Sequence, residues 1–105
     1  MLIGRRDYRC IPLDKHRSTS GRFEIFLGQH YHQGVICYIV GAYDERTGVL
    51  TARHYSVKTG RYVSDETAKA SALIAWDEFR EKMLAPAAPE ENEQDPSRYF
   101  RTEGT

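Results

Sequence analysis

The sequence predicts an α+β fold: an antiparallel sheet of three or four strands, one long C-terminal helix packed on one face, and a flexible acidic tail. Three observations predict it. Between residues 22 and 57, β-branched and aromatic side chains recur with period two and are punctuated by glycine-bearing turns. Between residues 65 and 84 the period changes to that of a helix, with Ala68, Ala72, Trp76, Phe79 and Met83 on one stripe. Beyond Ala85 the chain turns to proline and acid and has little left to bury. A chain of 105 residues, 40% of them hydrophobic, supports one modest core, which excludes a large multidomain enzyme. The expected division is one domain over residues 1–84 and a tail over 85–105.

Taken in order, Tyr8 to Leu13 alternates well enough for a short edge strand, limited by Pro12. Lys15 to Gly21 reads as a polar loop. Arg22 to Leu27 sets Phe23, Ile25 and Leu27 against Arg22, Glu24 and Phe26 and predicts a strand. Gly28 to Gly34 reads as a loop carrying His30 and His32. Val35 to Tyr43 is the most β-like segment: Val35, Cys37, Ile39 and Tyr43 face one way, and Ile36, Tyr38, Val40 and Ala42 the other. Such a strand is covered on both sides. Asp44 to Gly48 is a hairpin connection and Val49 to Val57 the returning strand. Lys58-Thr59-Gly60 forms a tight turn, and Arg61 to Val63 a further short strand. Ser64 is an N-cap, and Asp65 and Glu66 place negative charge at the positive end of the helix dipole. Pro86 and Pro89 stop the helix. The tail runs through the acids from Glu90 to Asp95 before two aromatics, Tyr99 and Phe100, reappear between Arg98 and Arg101.

The common catalytic signatures are absent: no phosphate-binding glycine loop, no Gly-x-Ser-x-Gly and no His-Glu-x-x-His. Cys10 and Cys37 lack metal-finger spacing and read as reduced structural thiols. His30 and His32 lie two apart, so an extended segment would aim both at one ion. No further ligand follows at metal spacing, and the pair reads as a solvent-facing hairpin. The expectation is therefore a protein that is not an enzyme, without metal or cofactor. Met1 to Arg9 carries no signal-peptide run, and no stretch is apolar and long enough for a bilayer, so a cytoplasmic location is expected.

Charge is distributed unevenly. Residues 1–63 hold ten Lys and Arg against five acids, and residues 64–105 hold five against ten. Arg46, Arg53, Lys58 and Arg61 surround the hairpin that ends in Val57, which suits phosphate contacts or simply keeps an edge strand soluble.

Residues 34 to 83 resemble the AP2-like DNA-binding domains of plant regulators and of phage-type integrase arms. The order is a strand, a Thr-Gly turn, a basic strand, a tight turn, a Ser cap and an Ala-rich helix. The best stretch runs from Tyr62-Val63-Ser64-Asp65-Glu66-Thr67-Ala68 to Ala75-Trp76-Asp77-Glu78-Phe79. The resemblance implies a helix bracing a sheet whose other face enters the DNA major groove, with Arg46, Arg53, Lys58 and Arg61 at DNA. Val35 to Tyr43 has no polar face to offer, so residues 1–20 or a second subunit must cover it. The expected function is a small regulatory protein binding DNA or RNA. The alternative is a protein-interaction module, an inhibitor or adaptor. It would be dimeric, acting through the apolar sheet face and through Tyr99 and Phe100.

Overall fold

The computed structural model describes residues 2, 3, 10–85 and 96. Its sheet is antiparallel throughout. Four principal strands, β2 (Ile11–Arg17), β3 (Phe23–His32), β4 (Val35–Asp44) and β5 (Leu50–Tyr55), follow one another as a meander. A two-residue strand, β1 (Leu2–Ile3), adds to the free side of β5, so the order is β1-β5-β4-β3-β2. One helix, α1 (Asp65–Leu84), crosses one face. This is the α+β architecture that the periodicities predict.

The longest pairing joins β3 and β4 over ten residue pairs, from Phe23 opposite Asp44 to His32 opposite Val35. Its two-residue turn holds Gln33 and Gly34 at φ of 53° and 78°. Two left-handed residues in succession match the twist of the flanking strands. Gly28 to His32 is therefore strand and not loop. The expected polar loop at Lys15 to Gly21 is also corrected, since Lys15, His16 and Arg17 pair with Phe26, Ile25 and Glu24. At a sheet margin both faces can be polar, which erases the alternation that marks a strand. Leu13 sits in a bulge between the pairs made by Pro12 and Asp14. The short strand expected at Arg61 to Val63 does not form. Val57–Thr59 is a single 3-10 turn capped by Ser56 and ended by Gly60 at φ 79°, and Val63 is 93% exposed.

Both faces of β4 are buried, as its double apolar parity requires. On the helix side Phe23, Ile25, Leu27, Tyr38, Val40 and Tyr55 meet Ala72, Trp76, Phe79 and Met83. On the far side Phe26, Cys37, Ile39, Leu50 and Ala52 form a second cluster, with Cys10 and Tyr43 packed against it. The expectation of self-association rested on that far face being open; in the single chain its five central residues are buried.

The helix is fixed at both ends. Ser64 Oγ accepts from the backbone N–H of Thr67 at 3.3 Å, and Thr67 Oγ1 accepts from the N–H of Ser64 at 3.1 Å. At the other end Thr19, in the β2–β3 turn, donates its N–H to the carbonyl of Met83 at 3.2 Å and its hydroxyl to that of Leu84 at 2.6 Å. Those carbonyls have no partner inside the helix. Of the tail, Ala85 is exposed and Pro96 buried; Tyr99 and Phe100 lie outside the described residues.

Gly41 lets β4 approach its neighbours on the far side. A Cβ there would stand 2.8 Å from Phe26 Cζ and 2.8 Å from the Thr51 carbonyl oxygen. Because the second of these is backbone, the strand itself would have to move. Gly41→Val is expected to cost about 1–3 kcal/mol, read as a lower midpoint in urea unfolding. An unchanged midpoint would show that β4 and β5 can separate at little cost.

Candidate functional site: a histidine-lined cavity

The four cations singled out in the sequence do not line one surface. Arg46 is exposed in the β4–β5 turn, and Lys58 and Arg61 are exposed past the other end of β5. The length of β5 separates them by roughly 20 Å. Arg53 is half-buried and stands opposite Val40, which belongs to the helix-side core, so it shares that face. The far face, which the resemblance would set against DNA, presents Phe26, Ile39 and Leu50, all buried.

A different set converges. On β3 and β4, His30 stands opposite Cys37; on β4 and β5, Ile39 stands opposite His54. Directly opposed residues share a face, and alternate residues of one strand do too. His30, Cys37 and His54 therefore lie together on the far side, toward the β3–β4 hairpin. They line a cavity of about 360 Å³ with Val35, Ser56, Lys58 and Thr59. The imidazoles of His30 and His54 meet edge to face, their centroids 6.4 Å apart at 84°. His30 Nδ1 and His54 Nε2 are buried and have no hydrogen-bond partner among the described residues.

The other polar groups of the cavity are positioned by the turn after β5. Ser56 Oγ accepts the N–H of Lys58 at 3.2 Å, and Thr59 donates its hydroxyl to the Ser56 carbonyl at 2.8 Å. Lys58 Nζ donates to Gln33 Oε1, tying this turn to the β3–β4 hairpin.

Cys37 Sγ lies 3.5 Å from His54 Nδ1. Burial pushes the Cys37 thiol up, only partly offset by a backbone hydrogen bond from Tyr55. Burial, and then the neighbouring His30, hold His54 below the usual histidine range. Both shifts favour the uncharged forms. A thiolate–imidazolium pair, which nucleophilic cysteine chemistry requires, is disfavoured on each side. Among the described residues no three His, Cys, Asp or Glu side chains are grouped so as to hold a metal ion. The side chain of His32 lies outside those described.

The sequence reading weighed His30 with His32, two positions along one strand. The fold brings it to His54, two strands away, through pairings that no local spacing records. No helix among the described residues is long and apolar enough to cross a membrane. Comparison with protein-family models, with curated proteins and with solved structures finds no match to this chain.

Proposed function

We propose that this protein is a non-enzymatic binding module that holds a small ligand in the cavity between His30, Cys37, His54 and Ser56. One observation carries the reading: the rings of His30 and His54 line the cavity, and each holds a buried nitrogen, His30 Nδ1 and His54 Nε2, that has no partner among the described residues. An unpaired buried polar group costs about 1–3 kcal/mol, and a ligand that pairs with it recovers that cost. The volume lies within the range of small-molecule sites. The uncharged thiol and imidazole favour holding a ligand over attacking one.

Nucleic-acid binding through the hairpin has less support. Arg46 stands at one end of β5, Lys58 and Arg61 lie past the other, Arg53 is on the helix side, and the far sheet face between them is apolar and buried. Protein binding through that face meets the same obstacle.

A fragment screen read on the imidazole nitrogen signals of His30 and His54 tests the proposal. Fragments of about 8–15 heavy atoms fit such a site, and some should move both histidines while the His54→Phe variant no longer responds. A screen in which no fragment moves either signal would sink it.

A further inference from the structure

We infer that the ligand is a small organic monoanion, a carboxylate on a compact apolar body. This rests on the binding proposal above and narrows it to a chemical class. Among the described residues that line the cavity there is no aspartate or glutamate and one lysine, Lys58, so these residues present a cation and no acid.

The remaining polar groups supply further donors. The Cys37 thiol has two acceptors within reach, His54 Nδ1 at 3.5 Å and the Tyr38 carbonyl at 3.8 Å. A neutral imidazole that accepts at Nδ1 carries its proton on Nε2. When Cys37 gives its proton to the nearer of its two acceptors, His54 Nε2, buried and without a partner among the described residues, is a donor in want of an acceptor, and an anionic ligand selects that tautomer. Ser56 Oγ accepts from the Lys58 N–H, which leaves its hydroxyl proton to give. Lys58 spends one of its three ammonium protons on Gln33.

Imidazole N–H, hydroxyl and ammonium make a donor set that a carboxylate satisfies with its two oxygens. A carboxylate brings one negative charge to meet the Lys58 ammonium. Val35 and Cys37 supply apolar wall for the body of the ligand.

Benzoate is a suitable probe, with benzamide as its uncharged isostere. Both are titrated into the full chain at fixed ionic strength while the imidazole signals of His30 and His54 are followed. Benzoate should saturate, and benzamide should bind about tenfold more weakly, as should benzoate to the Lys58→Met and His54→Phe variants. Lys58 is exposed and its side chain bonds only Gln33 among the contacts described, so Lys58→Met keeps the fold and gives the cleaner reading. Thermal melting of each variant checks that it is folded.

If benzamide binds as well as benzoate, the cavity binds small molecules but the anion inference fails. If benzoate binds both variants as tightly as the parent, it sits elsewhere and the inference fails again. If neither compound binds, while a neutral fragment of another shape moves both histidines, the anion inference falls alone. If nothing moves them, the binding proposal falls with it.

Discussion

Replacing Trp76 with alanine is expected to unfold most of the molecules at room temperature or to lower the melting temperature drastically. The indole is 2% exposed, in the middle of the helix stripe. Truncating a buried Trp costs about 3–5 kcal/mol, against a total of ~5–15 kcal/mol for a domain. The indole also ties the helix to the border strand. Asp14 Oδ2 accepts from Trp76 Nε1 at 3.1 Å and from Arg80 Nη1 at 3.4 Å, and the His16 ring stacks on the indole at 6.2 Å. Burial would raise the Asp14 carboxyl, but the Trp76 hydrogen bond and His16 hold it below its ordinary range. Trp76→Phe keeps most of the apolar body and loses the N–H, so it should cost about 1–2 kcal/mol. Both variants are read by far-UV circular dichroism in urea, because Trp76 is the sole tryptophan. Near-parental stability of Trp76→Ala would show that the helix is held chiefly elsewhere.

Asp44→Ala is the second large loss, expected at about 3 kcal/mol. The carboxylate takes three bonds from Arg22, Nε to Oδ1 at 3.0 Å and to Oδ2 at 3.1 Å, and Nη2 to Oδ2 at 2.7 Å. It also caps the β4–β5 turn by accepting the N–H of Arg46 at 2.9 Å and of Thr47 at 3.4 Å. Alanine would take the carboxylate from a largely buried guanidinium and leave the turn uncapped. Asparagine keeps an oxygen for the turn but no charge for Arg22, so Asp44→Asn should lose less. The same pair predicts the acid response. The Arg22 hydrogen bonds, against an opposing effect of burial, hold the Asp44 carboxyl far below the usual carboxylate range. The unfolded chain therefore takes up its proton first, at a pKa of about 4. The stabilisation is complete above about pH 5 and is lost progressively as pH falls through that value toward the folded-state pKa. Asp44→Asn should flatten this part of the stability profile. A profile as steep as the parent's would assign the acid response to other carboxylates.

The parts of the fold legible in the sequence are those where one physical demand sets the residue types. The helix stripe from Ala68 to Met83 must face a sheet, and all five of its residues are buried. Strand β4 must be covered twice, and both its parities are apolar. Strand β2 was legible only at its start, in the edge strand expected up to Leu13; Lys15 to Arg17 were not, because they contribute backbone to the margin of the sheet while their side chains meet solvent. The second half of β3 was hidden by Gly28 and by the polar run Gln29-His30, and its turn by Gln33, which takes a left-handed conformation more usual for Asn or Gly. The cavity could not be read because its residues come from three strands and a 3-10 turn. His30 and His54 meet only once the β3–β4 and β4–β5 registers are known. Their one local trace was a pair of histidines among strand-forming neighbours, for which a solvent-facing hairpin was the simpler reading.

The bond from Thr19 to the end of the helix also bears on the order in which the molecule assembles. Its partners are 65 positions apart in sequence, so the chain loses the entropy of a long loop before the contact returns anything. The Ser64–Thr67 cap, by contrast, spans three residues and can form within an isolated helix. Assembly should therefore start the helix at its N-terminal end and finish its last turn only after β2 and β3 have folded back through Ser18 to Gly21. In the finished molecule the same dependence runs in reverse. When the β2–β3 turn opens, the carbonyls of Met83 and Leu84 return to solvent first, and the helix frays from that end while its capped beginning holds.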